Sequence, residues 1–570
     1  MRPTNTHTVT VPYRGGAERR GPVTMGQANM IRCILRDDPA QINIHDVWPA
    51  PAGAGLDAAI DALRALVVRH EALRTTFPPG PAAVPAEQMV AAEGEFTVTV
   101  LDHDELPAAT TPYADTLADL ARAERFVLER EFPLRITLVT LAGAPAFAVV
   151  VSSHAVADGS ALAVLREEWQ ALLAGESLPP VTALTPIDLA VEEASPAGLR
   201  KSRASLAHWE QIIRTGPQAM FAEPAATGAE VRAPQLTLRS RRGARALARV
   251  VERTGSLPAT VLLTAWCALV AHRAGQRTCV VAVPTSNRFT PRLARSVNTV
   301  SQDALLSLDL REPSFDALLR RAWGAALNAY RHSQFDSLAL WEMIGRTTHE
   351  RGSRFTRDVV FNDVSTLPST QAGTAVGTAD GPDPELSWSQ GQDLPTRILA
   401  FVFRTDPVLH LGMWADPALF PREQAEGFLE GLVRLLEAAA AEDVPFTSLT
   451  EVTGVRPVER GPDWQQVDGC WVSPPAVADA LRQAVGGLPV HVAPAADETG
   501  GLTAYVAAGG SALTPAQAHA ALMDLLPGRP GVLAPRRYVI VQDPPSPADR
   551  TSDWLRQQIL SEGNGRERSM

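Results

Sequence analysis

In VVVSSHAVADGSALAVL (149–165) a histidine, an aspartate and a glycine fall where a strand pattern gives way to a helix pattern. The nearly continuous apolar run before Ser152 reads as a strand buried on both faces. GSALAVLREEWQALLAG (159–175) then has helical spacing, with Ala161, Leu162, Leu165, Trp169 and Leu172 inward. His154 therefore sits on a strand-to-helix turn, where a side chain can point into a cleft. Imidazole is the one side chain whose ordinary pKa suits proton transfer near neutral pH. Asp158, at the helix start, can cap backbone amides or hold an arginine. Gly159 and Ser160 offer backbone N–H donors close by, the kind of group that stabilises an oxyanion. The same letters also describe a buried, hydrogen-bonded histidine and a capping aspartate, the commoner outcome for so short a motif.

The flanking elements are legible from their periods. LDAAIDALRALVVRHEALRTTF (56–77) places Leu56, Ile60, Leu63, Val67 and Leu73 near one helical face. FTVTVLD (96–102), LRITLVTLA (134–142) and AFAVVVSS (146–153) read as strands, and 116–131 reads as a helix. PQAMFAEPAATGAEVRAPQ (217–235) has the composition of a linker. A second α/β region follows: an almost wholly apolar helix over 257–275 with Ser256 as its cap, a buried strand over 278–285 and a helix over 315–332. RILAFVF (397–403) and VLHLGMW (408–414) form a hairpin, and a helix over 421–442 closes the region. The stretch 365–385 is small, polar and turn-rich, and is expected to be a mobile loop. Beyond Pro445 a third set of short helices and strands begins, with RRYVIVQD (536–543) as its last strand.

Composition narrows the function classes. The 570 residues are 45% apolar and 20% charged, which permits several packed cores. A net charge of −11 argues against a general binder of nucleic acid or anionic membrane. No apolar run nears the roughly 20 residues of a membrane span. The N-terminus lacks the apolar core of a signal peptide, so the chain is expected to be cytoplasmic. Cys33, Cys267, Cys279 and Cys470 lack ligand or disulfide spacing, and Cys267 reads as core. The chain holds one lysine, Lys201, against 51 arginines.

SSHAVADG resembles the HHxxxDG signature of nonribosomal peptide synthetase condensation domains, members of the chloramphenicol-acetyltransferase-like superfamily. Six further segments match that family in order: TMGQANM (24–30), RHEALRTTF (69–77), TPIDLAV (185–191), VNT (297–299), RHSQFDSLALWEMI (331–344) and RFTRDVVFND (354–363). TSNRF (285–289) stands where the family carries a Gly-Arg after a strand. Ser153 replaces the first histidine of the signature, and Ser296 replaces the aromatic before VNT. The likeness covers roughly residues 20–445.

The resemblance implies an α/β fold: two acetyltransferase-like lobes in a V-shaped pseudo-dimer, with the active site in the channel between them. The expected organisation is a flexible stretch over 1–20, a first lobe over 21–200, a second over 201–455 and a small α+β module over 456–570. The implied activity is acyl transfer from a thioester, carried on the phosphopantetheine of a peptidyl or acyl carrier protein, to a small amine or alcohol. His154 would take or orient the nucleophile's proton, and the Gly159 amide would stabilise the oxyanion. Asp158 would pair with Arg288 and hold the histidine loop, with Ser153 beside them. Asn298 and Thr299 are channel candidates. No bound cofactor, metal, nucleic acid or membrane is expected, and the chain is expected to be free-standing. Two rivals stand beside this reading. One is a coenzyme-A-dependent acyltransferase of the same superfamily, whose plant-type members carry a DFGWG motif not found here. The other is a catalytically silent domain that recruits carrier proteins.

The last module resembles the small C-terminal subdomain of adenylation domains. That family's final loop carries a catalytic lysine, whereas PSPADRTSDW (545–554) has none, and the large adenylation core is missing. The module is therefore expected to serve packing or docking and not to handle ATP. Arg239, Arg241, Arg242, Arg245, Arg249 and Arg253 form a basic cluster. A solvated face paired with carboxylates is its simplest explanation, and docking of an acidic carrier protein is the functional one. Trp169 and Trp323 are expected in the core. His70 is expected at a surface or interface.

Overall fold

Three mixed sheets organise the chain, each built where strand-period sequence meets amphipathic helices. The computed structural model describes all residues except 1–2, 81–82, 108–109, 227–231, 368–381, 496–500, 549 and 567–570. The first sheet has five strands in the order Asn5–Arg14, Glu93–His103, Leu134–Leu141, Ala144–Ser152 and Ile44–Pro49. Only the pairing of Glu93–His103 with Leu134–Leu141 is parallel. The helices Leu56–Arg69 and Gly159–Leu173 contribute their apolar faces to this lobe's core, where Trp48 and Trp169 pack 5.8 Å apart.

The expectation of a flexible 1–20 does not hold for residues 5–14 and 19–20, which lie in strands. Residues 5–14 pair antiparallel along Glu93–His103, with Val11 and Tyr13 buried in the core. THTVTVPY alternates with period two, and Thr and Val suit a half-buried pleat better than a loose end. The proposed helix over 116–131 is instead Thr111–Arg122.

The second sheet has seven strands, in the order Gln302–Asp309, Thr278–Thr285, Val359–Asp363, Ile398–Arg404, Leu409–Ala415, Ala233–Ser240 and Glu385–Gln392. Its core surrounds the helix Pro258–Ala274, apolar on every side because every side is covered. That helix is capped by Leu257, without a side-chain bond, and not by Ser256. Among the described residues no single helix is long and apolar enough to cross a membrane.

The boundary expected at 200/201 falls inside the helix Pro196–Thr215. Trp209, Ile212 and Ile213 of that helix lie in the second lobe's core, as do Met220 and Phe221 of the supposed linker. In the other direction Val297 enters the first lobe's core. Most of the expected mobile loop lies outside the described residues, but Glu385 already begins a strand.

The third sheet, Val490–Pro494, Leu502–Ala507, Arg537–Val541 and Ile559–Gly563, has a separate core with helices Pro474–Ala484 and Pro515–Leu525. Ile559–Gly563 is one strand more than the sequence suggested. This module is fastened to the second lobe through polar contacts at two helix ends. Trp471 Nε1 donates to Gly275 O (2.9 Å), and Arg460 to Ala274 O (3.0 Å). Arg566 donates to Glu350 O (2.8 Å), and the Ala534 amide to Gly352 O (2.7 Å). Gly275 and Gly352 are both left-handed C-cap residues, where helix carbonyls otherwise lack donors.

Candidate active site

The strand Ala144–Ser152 stops where Ser153 turns away, its amide donating to Pro133 O (2.9 Å). A tight turn follows, closed by the Val156 amide on Ser153 O (3.1 Å). Ser153 is buried, and its hydroxyl oxygen accepts a long bond from the Ala155 amide (3.4 Å).

His154 is half-buried on this turn, with Nδ1 2.9 Å from Ala157 O. A carbonyl only accepts, so Nδ1 carries the proton and Nε2 keeps its lone pair. Thr299 Oγ1 lies 3.5 Å from the same Nδ1. Nε2 takes no partner among the described residues. Burial pushes the imidazole pKa down, and the Asp158 charge and the Ala157 carbonyl only partly offset it. The ring is therefore a neutral base at neutral pH.

Asp158 caps the helix Gly159–Leu173, with Oδ1 accepting the Ala161 amide (3.0 Å). Its Oδ2 reaches the second lobe, accepting from Arg288 Nη1 (2.6 Å), the Val300 and Ser301 amides (3.0 and 3.2 Å) and Ser301 Oγ (3.0 Å). Burial alone would raise this carboxyl, but Arg288 and the hydrogen bonds hold it below the usual carboxylate value. Arg288 also donates from Nη2 to Ser296 O (3.0 Å) and Asn298 O (3.1 Å). The pair's side chains are 6% and 2% exposed, so this guanidinium cannot exchange its partners for water.

The helix cap leaves the Gly159 and Ser160 amides without an acceptor among the described residues. A Cβ on Gly159 would meet only Leu367 Cδ1, at 3.2 Å. Asn298 is fully buried, and neither atom of its side-chain amide has a partner among the described residues. Thus His154, Asp158, Gly159, Arg288, Asn298 and Thr299 gather at one seam between the lobes, while the Ser153 hydroxyl is engaged within its own turn.

Several groups at the seam escaped sequence reasoning. The Ala157 carbonyl sets the histidine tautomer, and a backbone group has no sequence signal. Ser301 supplies two donors to Asp158, its amide and its hydroxyl. Gly26 lets the helix Met25–Arg36 approach, since a Cβ there would fall 2.3 Å from Thr299 O. His70 is not a surface residue. It is buried, and with Arg69 it donates to Glu168 of the helix that starts at Gly159 (2.7 and 3.0 Å). Trp323 is 57% exposed, not core, whereas Trp169 and Cys267 are buried. In the basic cluster Arg253 pairs with Asp316 and Arg242 with Glu437, while Arg245 and Arg249 are exposed. Among the described residues no group of three or more His, Cys, Asp or Glu could hold a metal ion.

The arrangement can remove a proton at Nε2 and bind a developing anion at a helix N-terminus. Comparison with known proteins identifies the family. The family model described as Condensation domain matches residues 55–453. A hybrid polyketide–peptide synthetase of Petromyces alliaceus is 29% identical over 183 residues, 31% of this chain and 4% of that protein. The chain spans between 4% and 23% of the length of the first curated relatives it matches. Among solved structures, the SgcC5 protein of Streptomyces globisporus superposes with a TM-score of 0.58 at 18% identity, covering 74% of this chain and 100% of that one. The X-domain solved in complex with OxyB from teicoplanin biosynthesis does so with a TM-score of 0.55 at 20% identity, covering 76% and 98%.

Proposed function

The chain belongs to the condensation-domain family, and on that premise we propose that it transfers an acyl group from a carrier-protein thioester to the amine or hydroxyl of a small acceptor. His154 Nε2 takes the nucleophile's proton as the new C–N or C–O bond forms. The thioester oxygen gains charge and is met by the Gly159 and Ser160 amides, at the positive end of the helix Gly159–Leu173. When the C–S bond breaks, the thiolate recovers a proton from the imidazolium. Asp158 stays ionised throughout and holds the turn against the second lobe through Arg288. It is a positioning residue and does not exchange protons. The thioester is already activated, so the scheme needs no bound cofactor.

The observation that carries this reading is the Nδ1 bond to Ala157 O, which leaves Nε2 basic at the seam. The test is acyl transfer by the purified chain from acyl-loaded carrier proteins, read by intact mass and compared with His154→Ala. Transfer at equal rates in both would sink the base role.

Ser153 supports a second reading, a recruitment domain without chemistry. The signature's first histidine is replaced by a hydroxyl already engaged in the turn, and the X-domain neighbour was solved with a partner protein. No transfer with any loaded carrier, together with stable carrier binding, would favour it.

A further inference from the structure

The cleft where the C-terminal module meets the second lobe gathers more positive charge than its own residues neutralise. It has a volume of about 390 Å³ and is lined from the lobe by Arg214, Glu350 and Arg351 and from the module by Asp468, Arg536 and Arg566. That volume lies within the range of small-molecule sites, roughly 300–1,000 Å³, but charged groups form these walls. One carboxylate, Asp468, serves two cations: it accepts from Arg351 Nε (2.8 Å) and lies 3.3 Å from Arg536 Nη2. Glu350 accepts from Arg214 Nη2 (2.6 Å), and Glu210, outside the cleft, serves both Arg214 and Arg346 (2.8 and 3.4 Å). Arg566 forms no ion pair among the described residues. It donates instead to the carbonyls of Glu350 (2.8 Å), Arg536 (3.2 Å), Asn564 (3.2 Å) and Arg351 (3.3 Å). Five arginines therefore stand against three carboxylates, an excess of two positive charges in a chain whose net charge is −11.

Donors on both walls face the opening. Arg214 and Arg536 are 40% and 45% exposed, and Arg566 is half-buried. Arg214 Nη1 takes no partner among the described residues, and Arg566 Nη2 makes only the long contact to Arg351 O. Glu350 spans the two walls, with its carboxylate on Arg214 and its carbonyl on Arg566, so one residue separates their guanidinium groups. Arg351 is the floor, 7% exposed and committed to Asp468 and to the carbonyls of Ile213 and Gly216. An excess of two cations in a cleft suits one dianion. The planar fork of arginine suits phosphate oxygens taken in pairs, and a phosphate monoester carries about −1.5 to −2 at neutral pH.

We propose that this cleft binds a small phosphate-bearing dianion, which bridges Arg214 of the second lobe to Arg536 and Arg566 of the module. The site shares no residue with the His154 seam and is independent of the acyl-transfer reading. Bound phosphate offsets the repulsion among the arginines and strengthens the joint. A ligand held by both walls binds only the assembled chain and so stabilises it by mass action.

The test is calorimetric titration of the full chain, with its melting temperature, against inorganic phosphate, pyrophosphate and coenzyme A at an ionic strength held constant with NaCl. Malonate, a dianion without phosphorus, is the control. At least one phosphate should bind at millimolar concentration or below and raise the melting temperature. Arg214→Gln and Arg536→Gln should each weaken binding by about tenfold or more, the size of a lost charge-assisted hydrogen bond. Their melting temperatures without phosphate should stay near that of the wild type, since exposed ion pairs contribute little. Glu350→Gln removes a negative charge from the wall and should tighten binding. Tighter binding of pyrophosphate assigns the cleft to a free phosphate, and tighter binding of coenzyme A to an organic one; either supports the site. No binding beyond the NaCl blank, malonate bound as tightly as the phosphates, or indifference to both arginine substitutions overturns the proposal.

Discussion

Asp158 Oδ2 lies 2.6 Å from Arg288 Nη1 and accepts two backbone amides and a hydroxyl with the same oxygen, so one atom ties the histidine turn to the second lobe. Arg288 in turn ties the carbonyls of residues 296 and 298 beneath it. The pair defines the seam, and the expectations below follow from it.

His154→Ala should lower acyl-transfer turnover by about 10²–10⁴, the range for losing general acid–base help, with little change in melting temperature. In the wild-type chain the acid limb of the rate profile should fall below the ordinary histidine value of about 6.5, because burial disfavours the imidazolium. A limb at or above that value would contradict the burial argument.

Asp158→Ala should destabilise the chain by about 3–5 kcal/mol, since it strands a buried guanidinium, and should lower activity with it. Asp158 has a depressed folded pKa, so its contribution is present above the ordinary carboxylate pKa and is lost as pH falls through the folded value. Urea unfolding at successive acidic pH values should therefore show a loss in the wild-type chain that the mutant lacks. Arg288→Lys should not restore the wild type, because an ammonium cannot reproduce the planar fork that serves Asp158 and two carbonyls at once.

Gly159→Pro isolates the oxyanion donor. Position 159 is the first residue of its helix, where proline is tolerated, and Asp158 is already extended (φ −113°, ψ 179°), as a residue before proline prefers. The substitution deletes the amide hydrogen and spares the helix. A drop in turnover of about 10²–10³ beside a near-normal Gly159→Ala is expected. Equal turnover in the two would move the oxyanion site elsewhere.

The C-terminal module should prove structural. Truncation after Gly454 removes the donors of Arg460, Trp471, Ala534 and Arg566 from the ends of two second-lobe helices. The truncated chain should melt at a lower temperature, and Trp471→Ala should reproduce part of the loss. His154 chemistry should survive at temperatures where the second lobe remains folded. No amino-acid-dependent ATP–pyrophosphate exchange is expected from the full chain, because the module has no lysine. Measured exchange would overturn its assignment to packing.

Much of the site was legible in the letters because its parts are local. The strand-to-helix turn at 153–159 follows from a nearly continuous apolar run meeting one of period 3.6. Asp158 as a cap follows from its place one residue before the helix. The arginine two residues after Ser286 was placed opposite it only by likeness to the condensation family, since nothing local joins positions 158 and 288. Strand identity at 5–14 was also readable but was outweighed by terminal position.

Tertiary structure decided the rest, and each case has the same cause: a side chain's environment is set by segments remote in sequence. His70 looked exposed beside Glu71, yet Glu168 receives it from a helix 98 positions away. Trp323 fitted an apolar stripe, yet its side chain is mostly exposed. The tautomer of His154 depends on a backbone carbonyl, that of Ala157. The sequence by itself determined which elements form and where an imidazole, a carboxylate and free amides fall along them, because periodicity and capping act within a few residues. Only packing decided which charges meet, which are buried and which stay unpaired, because those distances belong to the whole chain.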